Sequence, residues 1–182
     1  MEIEPGAVSV PGSAGPPFPA PIADAAGLSG AKNAGCRSRC SFAVSRDLRT
    51  VRELYPLDDR ERGYVLRCEG RPVGWMSARL TRMRDHKYFG DLQVATLLDS
   101  VALPGFLRGS VTLASRALAH EGAELLVTNQ SHMEWVAAFQ AAGYLRGPSN
   151  YILALSKQLA ADIASQPGGF ARMHFTRGDS DG

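Results

Sequence analysis

The stretch ELLVTNQSHMEWVAAFQAAGY, from Glu124 to Tyr144, restricts the fold more than any other part of the chain. Glu124 to Thr128 is an apolar run of strand length, and Asn129 and Gln130 break it. Ser131 with Glu134 three residues on is a capping-box pattern, so a helix is predicted to start there with the Ser131 hydroxyl as its cap. Gly143 closes the helix where a left-handed conformation is cheap for glycine. A strand feeding directly into a capped helix sets backbone N–H groups and polar loop residues at one edge of a sheet. Ligands of open α/β folds usually bind at that edge.

Upstream, the pattern predicts one domain. The chain is 182 residues long, enough for a single sizeable core. Residues 1–40 are rich in Pro, Gly, Ala and Ser, as in GSAGPPFPAP, and are expected to be a disordered leader. The domain is expected over 41–182, with order beginning near Phe42. Arg46 to Leu54 has helical character that Tyr55-Pro56 would end. Tyr64 to Cys68 and Pro72 to Leu80 read as a hairpin turning at Glu69 to Arg71, with Gly70 as the permissive residue. Thr81 to Asp91 is a basic loop carrying Arg82, Arg84, His86 and Lys87. It is either a solvated connection or a patch facing an anionic ligand.

Leu92 to Leu103 is almost continuously apolar, as expected of a strand covered on both faces, and Asp99 interrupts it. A carboxylate buried there would have its pKa raised, a useful property in a base near neutral pH. Pro104-Gly105 ends the strand, and a helix is predicted over Gly109 to His120. Tyr151 to Leu155 reads as a further strand. Ser156 is expected to cap a short helix reaching Ser165, which Pro167 and the following glycines end. Trp75, Trp135 and Phe139 read as core. The fold class is therefore α/β: a mixed, mostly antiparallel central sheet with helices on both faces.

Several function classes are excluded on composition. A net charge of +2 is too mild for a nucleic-acid partner. No run reaches the ~20 apolar residues of a membrane helix, so no membrane insertion is expected. Cys36, Cys40 and Cys68 are odd in number, with no secretory signal in view, which fits a reducing, cytoplasmic location. Cys36 and Cys40 have no histidine nearby, and Asp179 with Asp181 makes only a two-carboxylate pair, so no metal is expected. Arg177-Gly178-Asp179 reads as a turn.

Three phrases carry a family resemblance: FGDLQVATLLDSVALPG, TNQSHMEWVAAFQAAGYLRGPSNYILALSKQLA and HFTRGDSDG. With the order of elements, they make the chain resemble the GNAT acyltransferase superfamily, in particular GNAT-like bacterial proteins encoded near polysaccharide-biosynthesis genes. The resemblance covers roughly Tyr55 to Gly182, and the chain could be the second half of a two-part architecture. It implies an N-acetyltransferase-like enzyme that moves an acetyl or other acyl group from acyl-CoA to a small-molecule or sugar-amine acceptor. It leaves room for a homodimer. The family's phosphate-binding turn aligns with Phe106 to Val111. The implied cofactor contacts are Val101, Leu103, Arg108, Gly109, Ser110 and Asn129. Catalytic roles fall to Asp99, His132 and Tyr144. The same alignment puts Val111 at the last position of the turn and Phe139 where the pattern has its tyrosine. A second reading therefore stays open, a GNAT-like binding or scaffold domain without catalysis.

Overall fold

A computed structural model describes residues 40, 42–43, 60–148 and 152–179. The leader up to Arg39, the helix expected over Arg46 to Leu54, Tyr151 and Asp181 lie outside the described residues. Phe42–Ala43 is a two-residue strand, β1. The central sheet is built from β2 (Glu61–Cys68), β3 (Arg71–Arg82), β4 (Gln93–Ala102) and β5 (Leu125–Thr128), in that spatial order. The β2–β3 and β3–β4 pairs are antiparallel and β4–β5 is parallel, so the expected mixed sheet is present. Glu69 and Gly70 form the hairpin turn, both with positive φ, the geometry a tight two-residue loop requires.

Helices α1 (Leu107–His120) and α2 (Met133–Ala141) follow β4 and β5. Val111, Ala114 and Leu118 of α1, with Trp135, Ala138 and Phe139 of α2, are buried against Leu66, Met76, Ala78 and Leu97 of the sheet. Trp135 and Phe139 are core, as their spacing predicts, and so is Trp75 on the hairpin. Val65, Trp75 and Leu98 form a smaller cluster, joined by Val101. In register these residues lie on the opposite sheet face, since their cross-strand partners alternate with those of the first cluster. Helix α3 (Lys157–Ser165) is capped by the Ser156 hydroxyl, which accepts from Leu159 N at 3.2 Å, as expected. A 3-10 turn at Gly169–Arg172 leads to β6 (Met173–His174), which pairs with β1 in parallel. Among the described residues, no helix is long and apolar enough to cross a membrane.

Two expectations are corrected. Ile152 to Leu155 has no strand pairing, and Ile152 is 92% exposed. The run has strand composition, but no ladder partner stands beside it among the described residues. The cap of α2 is His132, whose Nδ1 accepts from Glu134 N at 3.3 Å. The Ser131 hydroxyl is taken instead by the C-terminal segment. It donates to Met173 O at 2.7 Å and accepts from Phe175 N at 2.6 Å.

Candidate functional site

Strand β4 changes character halfway along. From Val94 to Leu97 it pairs with β3 on one side and with Leu125 to Thr128 of β5 on the other. At Leu97 the β5 ladder stops, while β4 continues to Ala102 paired with β3 alone. The break coincides with a bulge. Ala78 pairs with Leu97 and Ser77 with Asp99, which leaves Leu98 as the extra residue. A bulge bends its strand and increases the local twist. It also shifts the phase of the side chains. Without it, Asp99 would share the helix-covered face with Leu97. With it, Asp99 pairs with Ser77 and Val101 with Trp75, facing away from the helices, while Ser100 and Ala102 face α1.

Asp99 is fully buried, and its Oδ1 accepts from Ser100 N at 2.7 Å. Across the ladder, the buried Ser77 hydroxyl has no hydrogen-bond partner, and neither has that of Ser100. Buried hydroxyls without partners cost free energy, and here they cluster where β4 loses its second neighbour.

Beyond β4, Leu103 N donates to Val73 O at 2.8 Å, holding the chain to the sheet until the Pro104-Gly105 turn. Gly105 has φ +85, which turns the chain into α1. No side chain caps this helix. Its first helical hydrogen bond runs from Ser110 N to Phe106 O at 2.8 Å, so the amides of Leu107, Arg108 and Gly109 precede the ladder and point out of the helix end. Arg108 is exposed beside them. Such an end, with a cation on it, suits an anion. The branched Val111 side chain lies in the core, 0% exposed, and so does not crowd this turn. Ser110 is also turned inward: a Cβ on Gly74 would lie 2.9 Å from its Oγ. Glycine at position 74 is what lets α1 approach β3 so closely.

The other wall comes from the chain after β5. Asn129 is half-buried, and Gln130 forms an antiparallel bridge with Thr176. The side-chain amide of Gln130 has neither atom hydrogen-bonded. His132 is 5% exposed, with its ring centroid 6.0 Å from that of the equally buried His174. The Arg177–Asp179 turn packs against β4, and Asp179 accepts from Thr176 N at 2.8 Å, which fixes it. Asp99, Val101, Leu103, Arg108, Gly109, Ser110, Asn129 and His132 thus all belong to one end of the sheet.

Tyr144 is placed elsewhere. It follows α2, separated from the β5 end by the length of that helix, about 13 Å. Its hydroxyl and that of Ser115 on α1 lie 2.8 Å apart, and its ring packs edge-on against Phe139. Burial pushes the phenol pKa up, with the Ser115 bond opposing. This geometry ties α1 to α2. The buried residues that single-sequence reading missed are Ser77, Ser100 and His174. Each is an ordinary polar residue until pairing shows which way it faces.

No family model matches the sequence, and no curated protein matches it. Among solved structures, the chain is similar to the aminoglycoside N-acetyltransferase AAC(6')-Iy in complex with CoA. The identity is 13% and the TM-score 0.49, over 75% of this chain and 88% of that one. It is also similar to TTHA1254 from Thermus thermophilus, with 15% identity and a TM-score of 0.48 over 77% and 95% of the two chains. A further likeness is to the aminoglycoside 6'-N-acetyltransferase AAC(6')-Ih from Acinetobacter baumannii, with 13% identity and a TM-score of 0.42 over 60% and 78%. At these values the assignment of the fold stands on the strand order and pairing themselves.

Proposed function

We propose that the protein has the GNAT fold and binds an acyl-CoA at the β4/β5 end of its sheet, transferring the acyl group to an amine of a small molecule or sugar. One observation carries this reading: the parallel β4–β5 ladder stops at Leu97 and Thr128, at a bulge, while β4 runs on into an uncapped helix end. The outward groups of Leu98 to Ala102 offer strand-type hydrogen bonds to an extended, amide-bearing arm. Val101, Leu103 and Asn129 flank that arm. The amides of Leu107 to Gly109, with Arg108, suit the pyrophosphate.

In this reading the amine nitrogen forms a bond to the thioester carbonyl carbon, and the C–S bond breaks with its electron pair on sulfur, so CoA leaves as the thiolate and takes a proton from water. The amine proton passes to the Asp99 carboxylate, directly or through water. His132 stands at the same end and is the second candidate for moving that proton. Tyr144 serves by positioning, since its hydroxyl is engaged between the two helices. A reading without turnover has its own support. Phe139 is core, and among the described residues the other tyrosines are Tyr64, bonded to Glu121, and Tyr88, in the β3–β4 loop. Neither belongs to the β4/β5 end.

Calorimetry with acetyl-CoA and with desulfo-CoA tests the binding step. Both are expected to bind, and Gly109→Trp is expected to abolish binding by placing an indole among the exposed amides. Absence of heat at saturating ligand overturns the proposal. Release of free thiol with amine acceptors separates the enzyme from the binding domain.

A further inference from the structure

The chain after β6 reaches the opening where β4 and β5 part. Met173 and His174 are its root: both are 5% exposed and paired with β1. From there the backbone runs antiparallel to the chain that leaves β5, and Gln130 bridges Thr176. Ser131 clasps the segment with three bonds. Its N donates to Phe175 O at 3.0 Å, and its hydroxyl donates to Met173 O at 2.7 Å and accepts from Phe175 N at 2.6 Å. The Arg177–Asp179 turn then packs against β4. Residues 175–179 therefore touch both sides of the opening, the chain after β5 through Gln130 and Ser131, and β4 through the turn.

The turn is preformed. Asp179 Oδ2 accepts from Thr176 N at 2.8 Å and from Thr176 Oγ1 at 3.2 Å, and Asp179 N donates to Thr176 O at 3.1 Å. A unit closed in this way can move as one piece about its root. Two of the three clasp bonds are made by a single hydroxyl, so the clasp is small beside the ladders that hold the sheet. Resting on the acyl-CoA reading above, we propose that residues 175–179 form an autoinhibitory strap. Closed, it spans the β4/β5 opening and excludes the acyl-CoA arm from the edge of Leu98 to Ala102. Open, it swings out about His174 while β6 stays paired with β1. A site that is competent only when the strap is open binds with its affinity reduced by the open fraction.

The test is calorimetry of the full chain with desulfo-CoA, beside amide exchange. The bond from Ser131 N to Phe175 O marks Gln130 and Thr176 as a non-hydrogen-bonded antiparallel pair. Such a pair has its Cα atoms ~4.5 Å apart, near enough for a disulfide. Gln130→Cys with Thr176→Cys therefore locks the strap when oxidised. The oxidised variant is expected to bind desulfo-CoA at least about tenfold more weakly than the same variant in reductant. The parent, which has cysteines of its own, is taken through both conditions and is expected to show no such difference. Ser131→Ala loosens the clasp and is expected to bind about fivefold more tightly than the parent, because the open fraction rises. Saturating desulfo-CoA is expected to speed amide exchange at Phe175 and Thr176 of the parent, where a ligand that merely packed on the segment would slow it. The inference is overturned if the locked and reduced forms bind alike, if Ser131→Ala binds no more tightly, or if exchange at Phe175 and Thr176 slows. In each of those cases binding by the parent leaves the acyl-CoA reading standing. If no form binds desulfo-CoA, that reading fails and the strap inference with it.

Discussion

The two halves of β4 are made of similar residues and do opposite things. From Val94 to Leu97 every backbone group has a strand beside it, and the flanking side chains, Val94, Ala95 and Leu97, are at most 1% exposed. From Leu98 to Ala102 one side loses its strand, and Asp99 and Ser100 are buried there with 0% exposure. The first half is finished as structure. In the second, β5 supplies no partner, the Arg177–Asp179 turn packs against β4, and the Ser77 and Ser100 hydroxyls are left without hydrogen bonds. The difference shows what one bulge does: where the β5 ladder ends, it turns a carboxylate from the helix-covered face of the sheet to the other face.

The sharpest way to break the comparison is at Asp99. Asp99→Asn preserves shape and removes the base. If the unpaired half is catalytic, turnover of acetyl-CoA with an amine is expected to fall about 10²–10⁴-fold, with desulfo-CoA affinity within about twofold of the parent. Loss of stability without that separation, read by denaturant titration beside the kinetics, would make Asp99 a structural group. The paired half predicts the reverse. Leu118, on α1, is fully buried in the helix-side core. Leu118→Ala is expected to cost about 2–5 kcal/mol of stability, seen as a lower urea midpoint, while ligand affinity at 25 °C holds.

Much of the paired half was legible from local sequence. Glu69-Gly70 marks the hairpin, Gly143 and Ser156 mark helix ends, and the Trp135/Phe139 spacing marks a core face, because each signal acts within a few residues. The unpaired half was legible only as a place. Asp99 stood out in its apolar run, but the face it occupies depends on the bulge at Leu98, and a bulge is a property of two strands. The α2 cap failed for a related reason. Ser131 has the right neighbours for a capping box, yet Met173 and Phe175, 42 and 44 residues away, take its hydroxyl. The ILAL run after Tyr151 has strand composition but no ladder partner among the described residues.

Ser131 gives the next test, because it pins the C-terminal segment to the open end. Ser131→Ala removes one donor and one acceptor and is expected to cost about 1–3 kcal/mol. If its role is that tether, amide exchange should rise at Phe175 and Thr176 while α2 stays protected under its His132 cap. Fraying of α2 instead would restore Ser131 as the cap.

The smallest effect belongs to the paired end and has a pH signature. Tyr64 is 2% exposed and donates to Glu121 Oε1 at 2.8 Å. Burial first, then the bond to Glu121 and its charge, push the Tyr64 pKa far above its ordinary value of 10.0, with Arg62 opposing. The folded chain therefore keeps this proton where the unfolded chain loses it. Its contribution is fully present below pH 10 and declines as pH rises above it, by up to about 1.4 kcal/mol per pH unit. Tyr64→Phe is expected to cost about 1 kcal/mol at neutral pH and to flatten the stability curve between pH 10 and 11. Tyr144→Phe, whose pKa is also raised, should flatten it as well. An unchanged slope in the Tyr64 variant would mean that this phenol ionises in the folded state, and that the paired end is looser than its hydrogen bonds imply.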